Sequence, residues 1–355
     1  MERISGYQLV LAACVLTTII TMSYLPSQAI HYARQHVYLS VLLSFAVLLL
    51  PLWLAAKVSA RFKDSNLFQV IAQEYPLIGR PISALYLVFF LLILARDVRI
   101  LTEFCSIFLL QNTPPYIIAS LMILPAVMMV RGGQELLIRM TELVVPVLLT
   151  SYLMVPALGI KDADINMFKP LFDFHWAGIG RGWWCMLGFM GDIILLPFLI
   201  SKSTFRFRFG FYGLGISTIV ILTTIFLQIT VVGIQVSSHM TFATHELVRQ
   251  LQLTDFLDRF ELVLVAFYFP CAIIKVTYVL SLLCSGCEHL FPRLSARLLA
   301  APLGILGLLC AFWFYADLIQ LYHLNRLWPV LIVIFGFLFP ALIFLVWRKR
   351  KPSPE

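Results

Sequence analysis

Ten stretches of about 20 mainly apolar residues follow one another along this chain, at roughly 6–30, 37–57, 83–110, 115–131, 139–158, 179–200, 211–234, 256–284, 297–316 and 326–347. A hydrocarbon core about 30 Å thick takes about 20 residues of helix to cross. The pattern therefore predicts an all-α polytopic membrane protein with ten transmembrane helices. Composition agrees, because 61% of the 355 residues are hydrophobic and only 12% are charged, against about 25% charged in soluble domains. The first stretch starts just after "MERIS", without a basic leader or a small-x-small cleavage pattern, so it is expected to be a retained helix rather than a signal peptide.

The basic residues predict the orientation, since cytoplasmic loops carry the excess of Lys and Arg. With the N-terminus inside, sixteen of the 26 fall in cytoplasmic pieces, seven in outer loops, and three (Arg96, Arg99 and Lys275) inside helices. Both termini are then cytoplasmic, and the tail 348–355, with its "RKRK", suits the anionic inner leaflet. The net charge of +8 is a topology signal spread over several loops and calls for no nucleic acid. Seven cysteines, mostly within apolar runs, form no disulfide framework. Cys284, Cys287 and His289 in "CSGCEH" could ligate a metal, but they lack a second ligand pair and read as a helix-end cluster. No metal or other cofactor is expected.

Ten helices divide into five and five, residues 1–160 and 161–347. An odd repeat places its second copy upside down, an arrangement of many secondary transporters. Segments one and six then correspond. Segment one holds "TTIITMSYLP" and segment six "GFMGDIILLP", so both interrupt an apolar run with small or hydroxyl residues and then reach Leu-Pro. Proline removes a backbone donor, and Gly188 and Gly191 let the chain leave helical geometry. Broken backbone at membrane depth persists where it is buried or lines a cavity. Helices 1 and 6 are thus expected to be interrupted and to wall a small-molecule site. The plainer alternative is a proline kink with close helix packing. Asp192 could cap the second half-helix, face the ammonium of a zwitterion, or carry a proton.

Charges inside other segments extend the candidate site, because an ionisable group at membrane depth normally faces protein or water. "LILARDVRILTEF" puts Arg96, Asp97, Arg99 and Glu103 in segment three. Arg96, Arg99 and Glu103 fall on one helical face, Arg99–Glu103 is an i,i+4 pair, and Asp97 points about 100° away. They form either an ion-pair ladder or a polar track. Lys275 in segment eight could pair with Asp192, Asp97 or Glu261, act as a proton-linked switch, or stand as a fixed cation where another carrier binds sodium. Glu135, Arg139 and Glu142 at an inner mouth read as a hinge or anchor. The loop 61–82 reads by default as a solvated connector, and its apolar residues also suit a short surface helix or a docking face. No nucleophile–base pair emerges, so an enzyme is not expected.

Several of these stretches together resemble the spore-germination permease family, the B-type subunits of nutrient germinant receptors, within the amino acid–polyamine–organocation superfamily. They are "ISGYQLVLA", "RGGQELLIRMTELVVP", "FKPLFDFHWAGIGRGWW", "LTDFLDRFELVLVAFYF" and "AIIKVTYVLSLLC". Within them the sharpest patterns are Gly133, Glu135, Arg139, Glu142 and Asp255, Phe256, Arg259, Glu261. The resemblance implies a LeuT-like 5+5 inverted repeat and a ligand pocket between broken helices 1 and 6 and helices 3 and 8. By position, Thr18, Thr21, Met22 and Ser23, with Phe189, Met190, Gly191 and Asp192, would contact the ligand, a small nutrient and first of all an amino acid. It also implies a larger membrane subunit and a lipoprotein as partners, in the inner membrane of the spore. Family members often carry glycine in the first break; here none lies between Gly6 and Gly79. The rival reading is a proton-coupled amino acid transporter of the same superfamily.

Overall fold

The computed structural model describes residues 4–61, 68, 71, 79–170, 172–199, 205–250, 260–317, 320–321, 326–342 and 344. Most of the loop 62–78, Asp255, Phe256 and Arg259, and the tail 348–355 lie outside the described residues, as does the side chain of Glu261. Apolar runs wind into helices because a helix satisfies its own backbone groups, which lipid cannot do. In chain order they are α1 (Gly6–Ala33), α2 (Val37–Arg61), α3 (Gly79–Phe108), α4 (Pro115–Gly132), α5 (Gln134–Gly159) and α6 (Trp176–Met190). They continue with α7 (Phe207–Leu227), the one-turn α8 (Ile234–Ser237), α9 (Ala243–Gln250), α10 (Phe260–Leu290), α11 (Ala296–Phe314) and α12 (Trp328–Ile332). No strand occurs among the described residues.

Seven helical runs among the described residues are long and apolar enough to cross a membrane, the first of them joining α1 and α2. The 30-residue α3 and the shorter run Trp328–Leu342 are outside that set. Large apolar side chains remain exposed on α4 (Leu121, Leu124, Met128) and α11 (Leu298, Ile305, Leu309, Trp313), the faces that hydrocarbon would cover. The chain is an integral membrane protein.

α1 is the axis of the bundle, buried along nearly its whole length and packed chiefly against α6 and α7. It starts with a capping box: Ser5 Oγ accepts from the Gln8 N–H at 3.3 Å, and Gln8 Oε1 accepts from the Ser5 N–H at 2.7 Å. A Cβ on Gly213 of α7 would stand 2.3 Å from the Ala13 Cβ, so only glycine permits that approach. Cys14 Sγ then donates to the Gly213 carbonyl at 3.5 Å.

The expected break in helix 1 is not there. α1 runs unbroken through Pro26. Proline deprives the Met22 carbonyl of its i+4 donor, and the Thr244 hydroxyl of α9 replaces that donor at 2.6 Å. With the orphan carbonyl satisfied, the helix has no need to open.

Helix 6 does change form. α6 ends at Met190 and passes into a 3-10 helix, Gly191–Leu199, that contains Pro197. The glycines serve the close packing of the plainer alternative rather than backbone freedom. Gly191 has φ −63° and ψ −15°, which any residue adopts. A Cβ there, however, would meet Ile332 Cγ2 at 2.5 Å, and one on Gly188 would meet Pro329 Cγ at 3.1 Å. These glycines seat α12 against the turn of helix 6, as small residues do where membrane helices approach closely.

Candidate functional site

Four ionised side chains from three helices meet in the centre of the bundle. Arg96 and Asp97 come from α3, Asp192 from the start of the 3-10 stretch, and Lys275 from α10; all four are 0% exposed. Arg96 Nε and Nη2 donate to Asp97 Oδ1 at 2.9 and 2.7 Å. Nη2 also reaches Asp192 Oδ2 at 2.5 Å. Lys275 Nζ donates to the same Asp192 oxygen at 2.7 Å and lies 3.4 Å from Asp97 Oδ2. The result is a closed ring of two cations and two anions.

Aromatic rings wall the ring of charge. The Arg96 guanidinium carbon is 4.7 Å from the Phe189 ring centroid and 4.5 Å from that of Trp328. A guanidinium is planar and weakly hydrated, so it stacks between two π faces where an ammonium would not lie flat. Such a cluster persists away from water only because each charge faces an opposite one; a lone buried charge costs several kcal/mol. Three polar atoms of the ring have no hydrogen bond, the donor Arg96 Nη1 and the acceptors Asp97 Oδ2 and Asp192 Oδ1; Asp97 Oδ2 keeps only its 3.4 Å ion-pair contact with Lys275.

The geometry sorts the residues singled out by sequence. Arg96, Asp97, Asp192, Lys275 and Phe189 come together. Arg96 leaves the expected ladder and pairs with its chain neighbour Asp97, while Arg99 and Glu103 keep their i,i+4 bridge at 2.5 Å. Arg99 turns to the end of α11, donating to the Ala316 carbonyl at 3.0 Å and lying 5.0 Å from the Phe312 ring centroid. Asp192 is not a helix cap, since its bonds go to Arg96 and Lys275. Met190 and Gly191 are buried beside it. Glu261, one candidate partner for Lys275, stands at the start of α10.

Among the described residues, no hydrogen bond joins Thr18, Thr21, Met22 or Ser23 to the charges. Thr18 and Thr21 are buried with unpartnered hydroxyls. Ser23 Oγ donates to the Ile19 carbonyl at 2.9 Å and is hydrogen-bonded to the Tyr268 hydroxyl. Arg139 pairs with Glu135 on an exposed face, as the local-anchor reading expects.

An uncharged pocket, separate from the ring, stands under α9. It is lined by Ser23, Phe104, Tyr152, Thr244, His245 and Tyr268, with two apolar residues of α10. Phe104 follows Asp97, and Tyr268 precedes Lys275, by two helical turns, about 10 Å; the pocket therefore sits that far along α3 and α10 from the charges. Phe242 and His245 roof it, packed against Phe104 and Phe108. Sequence reasoning missed Trp328, Thr244 and Tyr268. Tryptophan beside proline at the start of a span looks like an interfacial anchor, and single hydroxyls, Thr244 on a short loop helix and Tyr268 within α10, carry no distinguishing pattern.

Against known proteins, the fold is that of the LeuT-type transporters. A nucleobase-cation-symport-1 family transporter, Mhp1, solved closed with bromovinylhydantoin, superposes with TM-score 0.67 at 14% identity, covering 97% of this chain and 79% of that one. A Na+-coupled sialic acid symporter gives TM-score 0.69 at 14% identity, with the same coverage. MhsT in complex with L-phenylalanine gives 0.64 at 16% identity, covering 98% and 99%. In sequence, the spore germination protein YfkT of Bacillus subtilis (strain 168) is 26% identical over 350 residues, 99% of this chain and 98% of that protein. Spore germination protein KB of the same organism is 23% identical over 286 residues, 76% and 75%. Residues 3–319 match the family model described as spore germination protein, and the chain therefore belongs to the spore germination permease family.

Proposed function

We propose that the protein is the nutrient-sensing subunit of a spore germination receptor, and that its ligand is a small amino acid bound where α3, α6 and α10 meet beside α1. The observation that carries this reading is the ring formed by Arg96, Asp97, Asp192 and Lys275. It ties three helices together at the centre of a transporter fold. A ligand that interposes between those charges changes how the helices are held, which is what a sensor needs: different affinity for two arrangements. The Thr18, Thr21, Met22 and Ser23 side of α1 would complete the wall after such a change. Family membership supports a place in the inner membrane of the spore and work with a larger membrane subunit and a lipoprotein, and the distribution of Lys and Arg supports cytoplasmic termini. L-phenylalanine in the similarly folded MhsT supports an amino acid ligand.

The buried Asp192–Lys275 pair favours a second reading, a proton-coupled amino acid transporter, since a carboxylate facing an ammonium can pass a proton when the two part. The test is dipicolinate release from spores lacking the gene, across a panel of amino acids and sugars, with wild-type and Asp192→Asn genes restored. Selective loss for certain nutrients, recovered by the wild-type gene alone, is expected. Saturable uptake into vesicles by the isolated protein, with germination unaffected, replaces the sensor by the transporter.

A further inference from the structure

Resting on the ligand reading above, we infer that the Lys275 ammonium is a built-in stand-in for the ammonium of the ligand, so that the closed site selects molecules of zero net charge bearing adjacent ammonium and carboxylate groups. Lys275 Nζ is a primary ammonium held between two carboxylates, 2.7 Å from Asp192 Oδ2 and 3.4 Å from Asp97 Oδ2. Any other primary ammonium presents the same three donors to those oxygens. Arg96 Nη1, Asp192 Oδ1 and Asp97 Oδ2 are all buried without a hydrogen bond, Asp97 Oδ2 facing Lys275 Nζ at 3.4 Å. A buried ionic group left short of a partner is unfavourable. One open cationic donor and two open carboxylate acceptors are what a carboxylate and an ammonium on neighbouring atoms would use.

Charge balance adds the selectivity. Arg96 and Lys275 cancel Asp97 and Asp192, and the neighbouring Arg99 and Glu103 cancel each other. A zwitterion enters this dry environment and leaves its net charge at zero. A simple amine or a simple carboxylate leaves an uncompensated charge among the Phe189 and Trp328 rings, where no water relieves it. Moving the protein's own balance by one unit therefore moves the preferred ligand by one unit. Lys275→Gln leaves the ring at −1 and opens it to amines. Asp192→Asn leaves it at +1 and opens it to carboxylates.

The experiment measures the ligand-induced rise in unfolding temperature of the full chain in lipid nanodiscs. Three sets of compounds share a skeleton: L-alanine, ethylamine and propionate; L-valine, isobutylamine and isovalerate; L-phenylalanine, phenethylamine and 3-phenylpropionate. Wild type is expected to respond to at least one amino acid and to neither of its analogues. Lys275→Gln should gain the matching amine by about 100-fold in apparent affinity, the scale set by an unpaired buried charge. Asp192→Asn should gain the matching carboxylate. The doubly substituted Lys275→Gln/Asp192→Asn protein, again neutral and free of the pair, guards against misfolding of the single variants and should prefer the zwitterion again. An amino acid response with the same charge preference in all four proteins overturns the inference and leaves the sensor standing. No response by any of the four to any of the nine compounds also overturns it. Spores whose amino acid response is untouched by loss of the gene overturn the sensor reading separately.

Discussion

The Thr244 hydroxyl donates to the Met22 carbonyl at 2.6 Å, and Met22 is the residue that Pro26, four positions on, leaves without a helical donor. The same hydroxyl accepts from Gln228 Nε2 at 2.8 Å, so one side chain fastens α9 to both α1 and the end of α7. A helix that looks like a lid over the uncharged pocket is thereby locked to the axis of the bundle.

Thr244→Val keeps the shape and removes the hydrogen bond. It should lower stability by about 1–2 kcal/mol and speed hydrogen exchange in α9 and around Met22, while Thr244→Ser retains most of the protection. Exchange mass spectrometry in nanodiscs reads both. Unchanged protection in the valine variant would mean that the roof is held by Phe242 and His245 alone.

Asp192→Ala strips both Arg96 and Lys275 of a partner and should cost about 3–5 kcal/mol. Lys275→Met alone leaves an excess carboxylate and should also destabilise. Combined, the two changes should cost less than their sum, because each removes the partner the other leaves stranded. A double-mutant cycle on unfolding midpoints measures the coupling, and strict additivity would dissolve the ring as an energetic unit.

Gly191→Ala forces a methyl to within 2.5 Å of Ile332 Cγ2. Overpacking of this kind costs about 1–3 kcal/mol, and Ile332→Ala in the same chain should return most of it. Were the glycine needed for backbone freedom instead, shortening Ile332 would restore nothing. Thermal midpoints of the three variants separate the two cases.

Trp328→Ala removes one face of the Arg96 sandwich and should cost about 2 kcal/mol beyond the cavity it leaves, whereas Trp328→Phe keeps most of that contact. Arg96→Lys should be worse tolerated than the phenylalanine change, since an ammonium cannot bridge Asp97 and Asp192 while stacking. Folded yield from membranes and the unfolding midpoint rank the three.

The charged residues of the site were legible because ionisable groups in apolar runs are costly, so Arg96, Asp97, Asp192 and Lys275 stood out one by one. Their ring did not, because Asp192 and Lys275 are 83 positions apart and a helical wheel relates only neighbours within one helix. For that reason the wheel joined Arg96 to Arg99 and Glu103, when its real partners were Asp97 and a residue of another helix. Pro26 was read as a break because the hydroxyl that satisfies Met22 lies 222 positions further on. Gly188 and Gly191 were marked for backbone freedom first and close packing second; the packing reading holds, but its partners Pro329 and Ile332 are distant in sequence and leave no local pattern.

The nine residues Gly191–Leu199 wind as a 3-10 helix, which rises about 2.0 Å per residue against 1.5 Å in an α-helix. Rewound as α-helix, the same stretch would be about 4.5 Å shorter. Such a change of length would need no rupture at Asp192, in the first turn of the stretch, but would slide its far end along α1 and α2, against which the stretch is packed. With one end tied to the charges, the length difference would fall wholly on the other end, beyond Pro197.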